Sequence, residues 1–295
     1  MKYVLIGALG NINRPLVSQL VAAGKKVTVV SSNPERKAAI VAAGASPAIG
    51  DIGDIDFLTN TFSGADAVYT MVPPKFDASE WKEYIHRMGK IQAEAVKAAG
   101  VRKVVNLSSI GAHMSAGCGP VSGLHFVEEE FNRLAGVDVK HLRPGYFFNN
   151  FFAAIEMIRH GGFYGNNYGD KAPLALADPA DIAAAAAEEL LGLSFTGKSF
   201  RYIVSDERNS REVTAILGAA VGIPALPYVE FGDEDAIKGM QQAGLSEEVA
   251  SNYAEMGRAI RTGDMFADYR KHPVKLGTVK LEDFARQFAA AYAGA

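Results

Sequence analysis

Apolar and polar positions in the first half of the chain form short apolar runs that alternate with segments of helical spacing. The apolar or β-branched runs predict strands over residues 3–7, 26–32, 46–51, 66–74, 102–111 and 137–145. The segments between them predict helices over residues 14–23, 34–43, 54–64, 78–99 and 122–135, each ending at or beside a glycine. Strands and helices that alternate over short connections predict an α/β fold with a doubly wound parallel sheet.

The second half of the chain has a less regular pattern. An aromatic and glycine-rich stretch follows residue 145, and a helix with Asp181 in its first turn is predicted over residues 178–192. Further predicted elements are a strand at 198–205, a helix at 210–222 that starts at Ser210, an extended segment at 223–231 and two or three helices in the last 60 residues. The regular alternation of strands and helices predicts a doubly wound domain at residues 1–150, and the absence of a linker-like segment indicates that the second half packs against the first. A smaller mixed α/β region at 151–295 is predicted to pack over its cleft, with some segments returning to the sheet.

Composition narrows the classes of function. The net charge of −3 and pI of about 6.1 give no general attraction to nucleic acid or to an anionic membrane. The single cysteine, Cys118, excludes an internal disulfide and metal sites built from cysteine clusters. No leader and no run of 18 apolar residues is found, so a cytoplasmic protein without a membrane span is expected. The sequence does not indicate the oligomeric state.

The stretch VLIGALGNINRPL, residues 4–16, contains the first candidate site. Gly7 and Gly10 follow a predicted strand and precede a helix, an arrangement that offers backbone N–H groups to a pyrophosphate. Asn13 stands where a third glycine would ease the packing of the helix on the strand. The alternative is an ordinary glycine-rich turn, although its position after the first strand of a long βαβ series favours nucleotide binding.

The end of the second strand bears on the choice of cofactor. It reads Ser31, Ser32 and Asn33, without the carboxylate that usually binds the ribose hydroxyls of NAD. Arg36 and Lys37 follow and could reach a 2′-phosphate, or they could simply be solvated helix residues. NADP(H) is therefore the preferred cofactor, with NAD(H) possible.

Several blocks in a fixed order resemble the NmrA-like branch of the atypical short-chain dehydrogenases/reductases. They are VLIGALGNINRPL, GDIGDIDFL, GADAVYTMVPP, AAGVRKVVNLSSIGAH, HLRPGYFFNNF, LALADPADIAAAAAEELL and GKSFRYIVSDERNSREVTAILGAAVGIPALPYVEF, which span roughly residues 1 to 231. The resemblance implies an NAD(P)-binding Rossmann domain with a smaller C-terminal region over the cleft. It also implies either an NADPH-dependent reductase of quinones or aromatic alkenes, or a redox-sensing regulator that binds NAD(P) without turnover.

The resemblance also assigns cofactor contacts to segments that follow the strands. It implies pyrophosphate contacts at Gly7, Leu9, Gly10, Asn11 and Ile12, and contacts to the ribose and 2′-phosphate at Ser32, Asn33 and Arg36. It implies adenine contacts at Asp51 and Ile52, and further cofactor contacts at Met71, Val72, Pro73, Ser108 and Ser109. Pro144, Gly145 and Tyr146 would border the nicotinamide.

The usual catalytic pair of the short-chain dehydrogenases, Tyr-x-x-x-Lys, is replaced in the segment GLHFVEEEF. His125 stands at the tyrosine position and Glu129 at the lysine position, a pairing that the resemblance implies for some NmrA-like members. His125 could donate a proton to a substrate oxygen, with Glu129 holding the imidazole one helical turn away. The alternative is a structural histidine at the start of a helix. Glu128 and Glu130 are expected to face solvent.

Other candidates carry less weight. Cys118 lies in a glycine-rich loop without an evident neighbouring base, and His113 is a possible substrate contact. His86 and His160 are predicted to be surface or packing residues, and no spacing suggests metal ligands. Aromatic side chains after the sixth strand could line a pocket for a flat substrate or belong to the core: Tyr146, Phe147, Phe148, Phe151, Phe152 and Phe163.

The sequence therefore leaves two principal functions. The first is an NADPH-dependent reductase of small planar electrophiles such as quinones, whose reduction by hydride needs little acid help. The second is a non-catalytic NADP(H) sensor that docks a protein partner. An epimerase or dehydratase is disfavoured because the Tyr-x-x-x-Lys pair is missing.

Overall fold

The computed structural model describes residues 1–171 and 173–294, and its centre is a parallel sheet. The strands are β1 (Lys2–Ile6), β2 (Lys26–Ser31), β3 (Ser46–Ile49), β4 (Ala67–Thr70), β5 (Lys103–Leu107), β6 (Asp138–Pro144), β7 (Tyr146–Phe147), β8 (Tyr164–Asn166), β9 (Leu174–Ala177), β10 (Lys198–Ile203), β11 (Asp206–Arg208) and β12 (Tyr228–Glu230). The main sheet has seven strands in the order β10-β6-β5-β4-β1-β2-β3. All of its neighbouring pairs are parallel, which confirms the predicted doubly wound α/β fold.

Helices cover both faces of this sheet. They are α1 (Asn13–Ala22), α2 (Lys37–Ala42), α3 (Ile55–Phe62), α4 (Trp81–Ala98), α5 (Pro120–Asn132), α6 (Pro179–Gly192), α7 (Ser210–Ala220), α8 (Asp233–Gln242), α9 (Glu247–Thr262) and α10 (Leu281–Gly294). One apolar layer joins α1, α2 and α6 to the sheet, and the other joins α3, α4 and α5. The central strands read as nearly continuous apolar runs because both of their faces are buried.

The second half of the chain contributes to the central layers as well as to the region above them. β10 hydrogen-bonds along β6 from Lys198 to Ile203, and α6 packs against α1. The rest builds two small sheets, β11-β9-β7 and β12-β8, with α8 packed on α9 and α10 on α7. An aromatic core that includes Phe148, Phe284 and Phe288 holds this region together. The chain therefore leaves the sheet after β6 and returns to it at β10.

Some element boundaries differ from the sequence predictions. The fourth and fifth strands end at Thr70 and Leu107, so the segments that follow them are free to line a site. The predicted helix at 34–43 is a 3-10 turn, Pro34–Arg36, followed by α2. Helix α7 is capped by Asn209, whose side chain accepts from the Glu212 N–H while Glu212 binds back to the Asn209 N–H. This capping box sets the beginning of α7 at Ser210, where the sequence predicted it, with Asn209 as the capping residue.

Tyr69 on β4 supplies a test of the central core. Its side chain is fully buried, and its hydroxyl has no hydrogen-bond partner within residues 1–171 and 173–294. A buried hydroxyl without a partner loses its hydration and gains nothing, so Tyr69→Phe should raise the free energy of unfolding by about 1 kcal/mol. Chemical denaturation measures this change. The control is Tyr3→Phe, which removes a buried hydroxyl that contacts the Met1 sulfur, and which should not stabilise. A loss of stability in Tyr69→Phe would show that its hydroxyl is satisfied.

Candidate cofactor and substrate cleft

The predicted cofactor residues lie at one edge of the sheet. Because all seven strands are parallel, the segments after β1 to β6 leave the sheet at the same edge. The strand order reverses between β1 and β4, and a crevice forms beyond the carboxyl ends of the strands at such a switch point. The structure therefore brings the predicted segments together around one crevice.

The opening turn is held by its own residues. Gly7 has φ +101°, a conformation that L side chains rarely adopt, and a Cβ there would meet the Met71 sulfur at 2.9 Å. The Asn13 amide donates to the Ile6 carbonyl at 3.0 Å and to the Gly7 carbonyl at 2.7 Å. Asn13 is buried and points back into the turn. A side chain at the third glycine position thus fastens α1 to β1 instead of pushing the helix outward.

The ligand-facing side of this turn is open. A Cβ at Gly10 would have only the Ala8 carbonyl oxygen nearby, at 3.9 Å, and the backbone at Gly10 does not have a positive φ. The N–H groups of Asn11 and Ile12 at the start of α1 have no acceptor in the described part of the chain. An open approach and free N–H groups at a helix N-terminus fit the pyrophosphate of a dinucleotide. Leu9 and Ile12 meanwhile pack their side chains on the apolar layer below.

The end of β2 is polar and accessible. Ser32 and Arg36 are exposed, and Arg36 forms no ion pair with the described residues. Asn33 is half-buried, and its side chain accepts from the Glu35 N–H at 2.9 Å, which turns the chain into the 3-10 segment. Glu35 is exposed beside Arg36. The guanidinium is available to an anion at this end of the crevice.

The segments after β3 and β4 border the same crevice. Asp51 is exposed, and its carboxylate accepts from the Gly53 N–H at 2.8 Å. Ile52 and Val72 pack on the layer of α3 and α4. The Met71 carbonyl accepts from the Gln92 amide at 3.0 Å, so α4 fixes the chain where it leaves β4. Pro73 is half-buried beside these residues.

Ser108 lies over a buried ion pair of Glu128 and Arg143. Its hydroxyl donates to Glu128 at 2.6 Å, and Glu128 accepts from the Arg143 guanidinium through two contacts of 2.9 and 2.6 Å. Glu128 is 5% exposed, so the expectation that it faces solvent is wrong. The helical spacing of Val121 and Phe131 places residue 128 on the inner face of α5.

The electrostatics of this pair follow from its burial. Burial alone would raise the pKa of Glu128, but hydrogen bonds and charge from Arg143 hold that pKa below its ordinary value. Arg143 also reaches Asp268, and its guanidinium lies 4.2 Å from the centre of the Phe200 ring. The Ser108 hydrogen is committed to the carboxylate, so Ser108 can offer only its lone pairs to a ligand. Ser109 instead donates to the Ile110 carbonyl.

The two predicted catalytic residues lie on a more exposed face of α5. The Nδ1 atom of His125 lies 2.9 Å from the Ala112 carbonyl oxygen, so Nδ1 carries the hydrogen. Its Nε2 atom is 3.6 Å from a Glu129 carboxylate oxygen. Glu129 is also paired with Arg133 at 2.9 Å. Glu130 is only partly exposed and contacts His86 at 3.1 Å, so it does not simply face solvent.

The segment after β6 leads into an aromatic cluster. Pro144 is buried as the last residue of β6, and a Cβ on Gly145 would lie 2.3 Å from the Ala175 carbonyl oxygen. Gly145 is therefore required for close packing against β9. Tyr146 places its ring 5.3 Å from Phe151 and 5.8 Å from Tyr168. Tyr168 and Tyr253 were not predicted as site residues.

The remaining candidates differ in how far they are buried and in what they contact. Cys118 is fully buried, and burial raises the pKa of its thiol to about 12, which does not favour a redox-active thiolate. His113 is half-buried, its pKa is lowered by burial, and its Nδ1 has no partner among residues 1–171 and 173–294.

Phe148 and Phe151 belong to the core, and Phe152 stacks on Phe288. Phe147 packs on the other apolar layer, and Phe163 contacts Phe231. His86 packs against Glu130, and His160 is exposed beside Glu156.

A buried polar chain below the cleft was also missed. Thr70 donates to Asn106 at 3.0 Å, and the Asn106 amide lies 3.0 Å from Nδ1 of His141. Nε2 of His141 lies 3.0 Å from Asn132 on α5. Burial lowers the pKa of His141 to about 4, so the ring is neutral and links three strands to α5. The only sequence signal was a polar residue inside each of three apolar runs.

Two kinds of feature are absent from the same residues. None of the helices within 1–171 and 173–294 combines the length and the apolar character that crossing a bilayer requires. No group of three or more His, Cys, Asp or Glu side chains in those residues is arranged to hold a metal ion.

Comparisons with known proteins identify relatives of this chain. A family model described as NAD(P)H-binding matches residues 7–150. The chain is 28% identical over 260 residues to the (4-alkanoyl-5-oxo-2,5-dihydrofuran-3-yl)methyl phosphate reductase of Streptomyces griseus subsp. griseus. That alignment covers 88% of this chain and 87% of the relative.

Solved structures agree over nearly the whole chain. An NADPH-dependent quinone oxidoreductase from Escherichia coli, in complex with NADPH, has a TM-score of 0.82 at 20% identity and covers 97% of this chain and 99% of its own. The Citrobacter sp. triphenylmethane reductase complexed with NADP(H) has a TM-score of 0.80 at 18% identity, with the same coverage. These likenesses concern the fold. Together with the family match they confirm the predicted resemblance: residues 7–150 are an NAD(P)H-binding domain, and the chain has the fold of the NmrA-like atypical short-chain dehydrogenases/reductases.

Proposed function

We propose that this protein is an NADPH-dependent reductase of small planar carbonyl compounds, with quinones and conjugated enones as the substrate class. The observation that carries the proposal is the open backbone cradle at Gly10 to Ile12, on the sheet edge where Tyr146 begins an aromatic cluster. A flat substrate fits between aromatic side chains and a nicotinamide ring. The names of the relatives support the class, since they include a quinone oxidoreductase and a reductase of a dihydrofuranone phosphate.

The protein's own residues would bind and orient both partners. NADPH, when bound, supplies a hydride to the substrate. The N–H groups of Asn11 and Ile12 would bind the pyrophosphate, and Arg36 the 2′-phosphate. Asp51 and Ile52 would flank the adenine, and Met71 to Pro73 would line the path towards the nicotinamide. We propose residues 1–150 as the cofactor domain and 151–295 as the region that closes the substrate side.

Turnover tests this function directly. Oxidation of NADPH is followed at its absorbance maximum with a panel of benzoquinones, naphthoquinones and cyclic enones, and NADPH affinity is measured in parallel. We expect turnover with at least one class and tighter binding of NADPH than of NADH. Tight NADPH binding without oxidation across the panel would contradict the reductase.

That contrary outcome would favour the second candidate, a non-catalytic NADP(H) sensor that docks a protein partner. One observation supports it: α5 lacks the Tyr-x-x-x-Lys pair, and Glu129 at the lysine position is paired with Arg133. A carboxylate there cannot hold the ribose as a lysine does.

Cofactor choice gives a separate prediction. Arg36 is exposed without an ion-pair partner in the described residues, so Arg36→Ala should leave the fold intact. The loss of one charge-assisted contact to the 2′-phosphate should weaken NADPH binding about 10-fold and leave NADH binding unchanged. Titration calorimetry measures both. Arg286→Ala, on the exposed face of α10, is the control. An unchanged NADPH affinity in Arg36→Ala would remove the assignment of Arg36 to the 2′-phosphate.

A further inference from the structure

We infer that a cavity at the outer edge of β10 binds an aromatic carboxylate, at a site separate from the cofactor crevice. β10 is the last strand of the seven-stranded sheet, and β6 and β5 lie between it and β4. The open edge of β10, the segment that spans this edge and the charged side chains around it form the site. Binding there does not depend on the proposed reductase function.

The cavity lies between β10, helix α6 and the segment that precedes α10. Its volume of about 610 Å³ falls within the range of roughly 300 to 1,000 Å³ that is usual for small-molecule sites. Its apolar walls include Ala184 and Ala185 on α6, and Val274 and Leu276 in the segment before α10. A compound with two fused aromatic rings therefore fits in it.

Part of the β10 edge that borders the cavity is unpaired. Because Ile203 directs its carbonyl group towards β6, the alternate residues Phe200 and Tyr202 direct their backbone groups outward. Val204 also faces outward, and its carbonyl accepts from the Gly277 N–H at 2.8 Å. The outward groups of Phe200 and Tyr202 have no backbone partner in the described part of the chain. Their N–H groups are therefore available to an acceptor in the cavity.

Residues 272–277 form the outer wall of the cavity, and both ends of this segment are held in place. At one end the His272 ring meets the Phe200 ring edge to face, with 5.1 Å between the ring centres. At the other end the Thr278 hydroxyl donates to the Asp181 carboxylate on α6 at 3.2 Å. The outer wall is therefore tied to the sheet and to α6, and the cavity is a built part of the fold.

Two lysines give the cavity its charge. Lys140 on β6 and Lys275 in the outer wall line the cavity, and neither forms an ion pair within the ranges 1–171 and 173–294. Of the two acids in the walls, Glu188 is paired with Arg201 at 3.0 Å, and Asp181 is hydrogen-bonded to hydroxyl groups. A net positive charge therefore remains in a partly enclosed space, which favours an anion.

These features together select the class of ligand. A carboxylate can accept from the two lysine side chains and from the outward N–H groups of β10. A flat ring can pack against the apolar side chains of α6 and against Phe200, which is 37% exposed. The walls share no residue with the turn at Gly10 or with Tyr146, so the site is separate from the crevice that we assign to the cofactor and substrate.

The test uses 2-naphthoate as the probe, with its own fluorescence as the signal. It is titrated into wild type, Lys140→Gln, Lys275→Gln and Lys97→Gln. Each of the first two substitutions should weaken binding about fivefold, because one charged contact to the carboxylate is lost. Lys97→Gln is the matched control, since Lys97 is an exposed cation on α4, in the layer on the opposite face of the sheet. The uncharged 2-naphthamide should bind wild type at least about 10-fold more weakly than 2-naphthoate does.

A second pair of measurements locates the probe. Ala184 is exposed at the cavity wall, so Ala184→Trp should fill the cavity and abolish 2-naphthoate binding while the thermal unfolding temperature and NADPH affinity stay unchanged. Saturating NADPH should change the affinity of wild type for 2-naphthoate less than about twofold. Displacement of the probe by NADPH would place it in the cofactor crevice and overturn the inference. So would unchanged affinity in both cavity lysine variants, or no binding to wild type at millimolar concentrations.

Discussion

Replacing Glu128 with glutamine should lower the free energy of unfolding by about 3 kcal/mol, because it leaves the buried Arg143 guanidinium without its charge partner. The Glu128 and Arg143 side chains are only 6% and 9% exposed, and two guanidinium nitrogens donate to the two carboxylate oxygens at 2.9 and 2.6 Å. Asp268 is a second, longer contact of Arg143 at 3.3 Å, so it compensates only in part. Urea denaturation at neutral pH measures the loss.

The same helix provides the control. Glu129→Gln changes the neighbouring acid, which is 42% exposed and paired with Arg133, and it should alter stability by less than about 1 kcal/mol. The pKa of Glu128 is lowered in the folded protein, so its contribution is present above the ordinary value of 4.5 and is lost as the pH falls below it. Equal effects of the two substitutions at pH 7 would contradict the buried pair.

Replacing Gly10 with alanine should weaken NADPH binding at least about 10-fold while the protein stays folded, which is the largest effect we expect on the cofactor. The added methyl group would have only the Ala8 carbonyl oxygen near it, at 3.9 Å, so the protein itself has room for it. The same space is the one through which a pyrophosphate would approach the N–H groups of Asn11 and Ile12. Fluorescence titration and thermal denaturation measure affinity and stability together.

Substitutions at two other glycines serve as controls for Gly10→Ala. Gly239→Ala in α8 adds a methyl group where nothing lies within 4 Å, and it should change neither NADPH affinity nor the fold. Gly7→Ala should unfold more easily, because φ is +101° and the Met71 sulfur is 2.9 Å from the added atom. If Gly10→Ala bound NADPH as tightly as wild type, the pyrophosphate would have to lie elsewhere.

Much of the central sheet could be predicted from local pattern. β1, β4 and β5 are largely apolar runs that are buried on both faces, and glycines such as Gly24 and Gly100 close the intervening helices with positive φ. β7, β9 and β11 could not be predicted, because they have two to four residues and their partners lie far away in the sequence. Such short pairings depend on tertiary packing more than on propensity.

The candidate site, like the fold, could be predicted from the sequence only in part. The open turn at Gly10 follows from the glycine spacing, and the direction of Glu128 could have been inferred from the apolar positions of α5. In the sequence, Asn13 is only a residue other than glycine at the third position of the motif. Its two hydrogen bonds to carbonyl groups could be recognised only in the folded structure. The packing of Tyr168 beside Tyr146, and of Tyr253 on α9 against Trp81 at the start of α4, had no signal in the sequence because these contacts depend on the fold.

The return of the chain to the sheet at β10 limits how the molecule can move. Since β10 is hydrogen-bonded along the whole of β6, the two halves cannot swing apart about a hinge near residue 150 without breaking the sheet. Entry and exit of ligands must then rely on short segments at the rim, such as the one between β4 and α4. Local motion of those segments, while the central sheet stays rigid, would limit the rate at which ligands bind and leave.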